Sequence, residues 1–153
     1  MRRSVAIGIV TLTAGLGAYA LWPRRAASPE EQVRAAVQRM EQGLSDRDAA
    51  HVLDQVSEAF RSQTLGDRAE LRRLVLAQLM RGGGLKVVTL QADVVPEEDG
   101  RLRWRGRVAV ARAGGQGFAA VTEGELRQFH VDALFADEQG HWRLVEATVT
   151  PLE

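Results

Sequence analysis

Apolar residues recur at helical spacing as far as Gly82-Gly83-Gly84 and at strand spacing after it. That change of period limits the architectures open to the chain. The pattern predicts an α+β fold, with helices covering one face of an antiparallel sheet.

The helical part opens at Ser28-Pro29-Glu30-Glu31. Ser28 is placed as N-cap, Pro29 at the first helical position and Glu31 where it closes a capping box. Val33, Val37, Met40 and Leu44 then share one face, with Ala36 beside them, and Gly43 weakens the end. Asp46 is expected to cap a second helix whose apolar positions are Ala50, Leu53, Val56 and Phe60. After the break at Gly66, Asp67 caps a third helix with Glu70 at the matching position, and Leu71, Leu74, Val75, Gln78 and Leu79 follow helical spacing. Gly82 is expected to end it in a left-handed C-cap.

Four strands are predicted beyond the glycines: Leu85 to Val95, Arg101 to Arg112, Glu123 to Ala136 and His141 to Thr150. Pro96 to Gly100 and Asp137 to Gly140 are turns, and Gly114, Gly115 and Gly117 make a flexible connection. In the second strand Leu102, Trp104, Val108 and Val110 alternate with Arg101, Arg103, Arg105 and Arg107.

Residues 5–22 carry no formal charge and lie between Arg2-Arg3 and Pro23-Arg24-Arg25. As a helix this run would rise about 27 Å, near the short end for crossing a hydrocarbon core. Tyr19 and Trp22 fall where aromatic rings favour the interface. Two readings stand: an uncleaved single-pass inner-membrane anchor with the C-terminal domain outside the cytoplasm, or a signal peptide cut after Ala18-Tyr19-Ala20, which releases a periplasmic or secreted domain. The division is 1–25 anchor or signal, 26–28 linker and 29–153 domain.

The chain holds 20 basic and 20 acidic residues. Without Arg2, Arg3, Arg24 and Arg25, sixteen basic residues face twenty acidic ones, a net charge of −4 that does not suggest a nucleic-acid partner. The chain has no cysteine, which removes disulfides, thiol chemistry, thiolate metal sites and a lipidated-cysteine anchor. His51, His130 and His141 are scattered without ligand spacing, so no metal and no cofactor is expected.

The helix from Glu30 to Leu44 is followed at once by Asp46-Arg47-Asp48-Ala49. Later come Glu125-Leu126-Arg127-Gln128-Phe129-His130-Val131 and the closing Gly140-His141-Trp142-Arg143-Leu144-Val145-Glu146-Ala147. With this element order, Pro29 to Thr150 resembles the NTF2-like (nuclear transport factor 2-like) superfamily, in its bacterial and exported forms. The resemblance implies a cone-shaped domain with three N-terminal helices on a curved antiparallel sheet of four or more strands. It also implies a pocket between helices and sheet, and a short extra strand after the second helix, for which Arg61 to Leu65 is available. Such folds serve enzymes, ligand binders and structural modules, so the fold does not choose the function.

His130 and Asp132 share one face of the third strand, as an acid/base pair would require. Phe129, Val131, Ala133 and Phe135 occupy the other face and suit the core. On that reading the pair points outward, toward solvent or a dimer partner. The arginine stripe could hold an anionic ligand, a lipid headgroup or an acidic partner strand. The plainer reading pairs it across strands with Glu123, Glu125 or Glu146. Trp104 and Trp142 are assigned to the core, or to a ligand if a cavity adjoins them. The expectation is therefore a non-catalytic envelope domain that binds a protein partner or a small apolar or anionic ligand, possible also as a homodimer. The alternative is a small pocket enzyme, an isomerase, hydratase or hydrolase that uses His130 and Asp132.

Overall fold

The computed structural model of the chain describes residues 25–81, 84–112 and 125–153. Among them, no helix is long and apolar enough to cross a membrane. The run from Val5 to Trp22, the Gly82 cap and the Gly114–Gly117 connection lie outside the described residues.

Helix α1 spans Pro29–Ser45. Its capping box forms as the sequence predicts: the Ser28 N–H donates to Glu31 at 2.7 Å and the Glu31 N–H donates to the Ser28 hydroxyl at 3.2 Å. Val33 and Ala36 are fully buried. Gly43 does more than weaken the helix end. A Cβ there would lie 2.8 Å from the Val52 methyl and 3.1 Å from the Asp48 carbonyl, so glycine permits the close approach of the next helix.

That next helix, α2, is only Ala49–Leu53. The expected helix capped by Asp46 and running to Phe60 is not formed. Asp46 instead closes α1, donating its N–H to Gln42 and Leu44. Arg47 turns left-handed at φ 59°, and Asp48 becomes the cap, accepting the His51 N–H at 3.0 Å. Val56 and Phe60 lie on strand β1, Val56–Ser62, both buried. Their helical spacing is accidental, and ladder bonds to a distant strand override it.

A two-residue strand, β2 (Gly66–Asp67), pairs antiparallel with β1 and leads into helix α3, Arg68–Met80. An extra strand between the second and third helices is present, but it is Val56–Ser62 and not Arg61 to Leu65: only Arg61 and Ser62 lie on it, and residues 63–65 form the turn into β2. Asp67 and Glu70 form the second capping box, at 2.9 and 3.0 Å. Gly66 has φ 75°, and a Cβ on it would strike the returning Glu70 side chain.

The Glu70 N–H bond is the main cause that holds the Asp67 carboxyl below its ordinary value of 3.8. With a depressed folded pKa, the cap's contribution is fully present above 3.8 and is lost as pH falls through the folded value. The Glu70 amide resonance should therefore titrate with a midpoint below 3.8, and Asp67→Asn should abolish that titration while keeping the cap. A midpoint at or above 3.8 would contradict the arrangement.

The remaining strands are β3 (Leu85–Pro96), β4 (Leu102–Arg112), β5 (Glu125–Glu138) and β6 (His141–Leu152). The six strands form one sheet in the order β2-β1-β6-β5-β4-β3. The sheet is mostly antiparallel, but β1 runs parallel to β6, so it is mixed and not purely antiparallel as expected. β5 outruns its predicted end because the turn that follows is only Gln139-Gly140, and β6 runs on to Leu152 because Pro151 and Leu152 still pair with Phe129 and Gln128. Gln139 and Gly140 have positive φ, and the Asp137 carboxylate accepts the Gly140 N–H at 2.7 Å.

Two register shifts set which side chains meet the helices. On β3 the ladder skips Leu90, and on β6 it skips Val145. Each extra residue re-phases its strand, so Val87, which lines the space under the helices, and Ala92 share the covered face, as do Leu144 and Ala147. Helices α1 and α3 lie on this inner face, and the core between the layers includes Phe60, Trp104, Phe135 and Leu144.

Candidate functional site

The inner face of β4 and β5 is built from Leu102, Trp104, Gly106, Val108 and Val110 against Phe135, Ala133, Val131, Phe129 and Arg127. Period-two alternation puts these residues together. At Gly106 a side chain is missing, and the Trp104 indole lies over the gap. A Cβ on Gly106 would sit 2.3 Å from the indole.

Between this face and the helices lies a cavity of about 230 Å³. Met40 and Leu44 of α1, Leu71 and Val75 of α3, and Trp104, Val131 and Phe135 of the sheet line it, with Leu144, Ala147 and Val149 from β6. Its wall presents carbon only. Glu41 contributes the stem of its side chain, because the Thr89 hydroxyl donates to its carboxylate at 2.5 Å. An acid can thus stand beside an apolar cavity without turning into it.

A second groove, of about 370 Å³, adjoins the cavity at Leu44, Val75 and Val87, which line both. It runs between α3 and the ends of β3, β4 and β5. Leu74, 44% exposed, faces this groove. Arg112 donates to the Gln78 carbonyl at 3.2 Å and to its side-chain oxygen at 3.0 Å. Arg81 and Arg127 are the other charged residues that line the groove.

His130, Asp132 and the arginine stripe lie on the opposite, outer face of the sheet. Arg105 is the register partner of Asp132, and Arg107 that of His130. Arg103 donates to the Glu97 carboxylate and, at 2.6 Å, to one oxygen of Asp132. Arg105 donates to the other Asp132 oxygen at 3.2 Å. Glu97 first, then Asp132, raise the Arg103 pKa above its ordinary value, so this arginine is held firmly as a cation. Arg101 turns to Asp99 at 2.6 Å, which raises its own pKa and lowers that of Asp99. The carboxylates that meet the stripe are thus Glu97, Asp99 and Asp132. Of the expected partners, Glu146 acts on Arg101 only as a nearby charge, and Glu123 lies outside the described residues.

Sequence reasoning groups His130 with Asp132, and the structure keeps them on one face, away from the apolar cavity. Both oxygens of Asp132 already accept from guanidinium groups. Trp104 is 3% exposed and lines the cavity. Trp142 does not line it; it is half-buried at the edge of the core. His141 lies at its turn with Nδ1 3.3 Å from the Gln139 carbonyl. Among the described residues, no three His, Asp or Glu side chains gather as a metal site.

Sequence reasoning does not single out Arg112 and Arg127 as site residues. Continuing the phase of Trp104, Val108 and Val110 leads to Arg112, and the phase of Val131 and Phe129 leads to Arg127. Two arginines at positions of apolar phase are the signal that could have found this end of the groove.

No family model matches the chain, and no curated protein is similar to it in sequence. Solved structures are similar in fold. Aln2 from a Streptomyces species is 14% identical with a TM-score of 0.70, covering 82% of this chain and 93% of its own. A candidate dehydratase from the NTF2-like family of Streptomyces avermitilis is 13% identical with a TM-score of 0.68, covering 81% and 96%. A candidate calcium/calmodulin-dependent protein kinase II association domain from Xanthomonas campestris is 12% identical with a TM-score of 0.66, covering 86% and 93%. The chain therefore has the NTF2-like fold, at a remote level of likeness that carries no activity with it.

Proposed function

We propose that the chain is a non-catalytic binding domain for a small apolar ligand, held outside the cytoplasm by residues 5–22. The observation that carries this reading is the carbon-only cavity between helices and sheet. At about 230 Å³ it is smaller than the roughly 300–1,000 Å³ of drug-sized pockets and so suits a compact ligand, and no charged or hydrogen-bonding group in its wall is placed to move a proton. The position of His130 and Asp132 on the outer face supports binding over the acid/base alternative. That polar outer face is left to an envelope protein or to a second copy of the chain.

The test is a titration of the full chain, in lipid nanodiscs, with a neutral fluorescent naphthylamine, against empty nanodiscs. Saturable binding at one site per chain is expected. Val131→Phe drives a ring into the cavity and should weaken binding about tenfold or more, the equivalent of about 1.4 kcal/mol. Equal binding by the variant, or none by the wild type, would count against the reading.

A further inference from the structure

Helix α3 covers the sheet with one side and leaves an apolar and basic face to solvent. Leu71 and Val75 are buried, whereas Met80 is 85% exposed and Leu76 38%. Leu76 and Met80 are four residues apart, so they lie one turn above the other. Arg72 precedes Leu76 by four residues and Arg73 by three, which puts both on the same side of the helix. Arg81 follows directly on Met80 as the C-cap. Arg73 approaches Glu70 at 3.9 Å, a loose pair of exposed side chains. Arg72 and Arg81 meet no carboxylate among the described residues. Glu70, in the first turn, is the one acid of the helix.

The helix starts where the chain enters the domain. Arg68, its first residue, donates to the Leu53 carbonyl at 3.3 Å. The next two residues, Asp54 and Gln55, line one groove with Ala27, just ahead of the Ser28 cap. Ala27 is five residues beyond Trp22, the end of the uncharged run, and five residues reach about 18 Å at most. An anchor at residues 5–22 therefore keeps the start of α3 close to the bilayer.

From this placement we infer that α3 docks on an anionic lipid surface, with Leu76 and Met80 in the headgroup layer and Arg72, Arg73 and Arg81 among the lipid phosphates. This rests on the reading that residues 5–22 anchor the chain, and adds a second contact with the membrane. Apolar and cationic side chains on one exposed helix face suit the bilayer interface, where arginine stems cover apolar surface and their heads stay with the phosphates. The short tether supplies a high effective concentration, so a modest patch is enough. Leu74 and Arg81 of the same helix line the groove that adjoins the apolar cavity, so a docked α3 brings that groove to the lipid.

The experiment uses the full chain with carbon-13 methionine methyl groups, one chain per nanodisc, and a trace of lipid spin-labelled near the headgroup. The discs hold phosphatidylcholine alone or mixed with phosphatidylglycerol. The Met80 methyl reads the docked face, and the Met40 methyl, which lines the cavity, is the reference. Broadening of Met80 relative to Met40 should be about fivefold or more greater in the anionic discs, the effect of a single arginine at such a surface. Joint Arg72→Gln and Arg73→Gln, both at exposed positions, should return it to the neutral-disc level with the Met40 resonance unmoved. Equal broadening in the two discs, or broadening that survives loss of both arginines, would overturn the inference and leave the anchor reading standing. So would a Met80 resonance that changes only when two chains share a disc, which would give this face to a second copy. A chain that leaves the discs altogether would overturn the anchor reading itself.

Discussion

Phe135→Ala is expected to destabilise the domain by about 3–5 kcal/mol, the range for removing a buried aromatic ring. Phe135 is 1% exposed, lies opposite Leu144 in the ladder and joins the core beneath the helices. Such a loss is a large share of the roughly 5–15 kcal/mol that holds a domain together. Urea unfolding should show a lower midpoint with an unchanged slope, because the surface exposed on unfolding is nearly the same. A loss under about 1 kcal/mol would mean that the ring is not packed between the sheet and the helices as described.

Gly106→Ala should have the second large effect, for the opposite reason. The added methyl would fall 2.3 Å from the Trp104 indole, on a ring that is only 3% exposed. The indole is rigid and has no room to yield except into the cavity. Overpacking of this kind costs about 1–3 kcal/mol. The displaced ring should also compete with any ligand, so that stability and affinity fall together. A fully stable Gly106→Ala that binds the neutral probe normally would contradict the placement of the indole.

These two residues show what was legible in the sequence. The α+β order, the capping boxes at Ser28 and Asp67, and the inward phase of Phe129 to Phe135 depend on neighbours a few residues away, so local pattern finds them. Strand β1 reads as helix in the sequence because its ladder partner is the distant stretch around Leu144 and Glu146. No nearby residue records that pairing. The extra residues Leu90 and Val145 were invisible for the same reason, since a register shift is a property of two strands and not of one. Gly106 reads as a weak point in a strand until the Trp104 ring is placed over it.

The candidate site was partly legible. Alternation separates the arginine stripe, His130 and Asp132 from the apolar face, and the structure places them on the two sides that this predicts. Which carboxylates the stripe would meet depended on the Pro96–Gly100 turn, which brings Glu97 and Asp99 beside Arg103 and Arg101. The cavity was implied only through resemblance. Its wall draws on three helices' worth of spacing and four strands' worth of register, and no single segment contains it.

The central claim is that a ligand enters between the helices and the inner face of the sheet. Isotope-filtered nuclear Overhauser spectroscopy of the full chain with a saturating apolar ligand tests this directly. Contacts are predicted from ligand protons to the methyl groups of Val131, Val149 and Leu144, which line the cavity. Contacts confined to His130, Arg105 and Leu152, which line a depression of about 420 Å³ on the outer face, would contradict it.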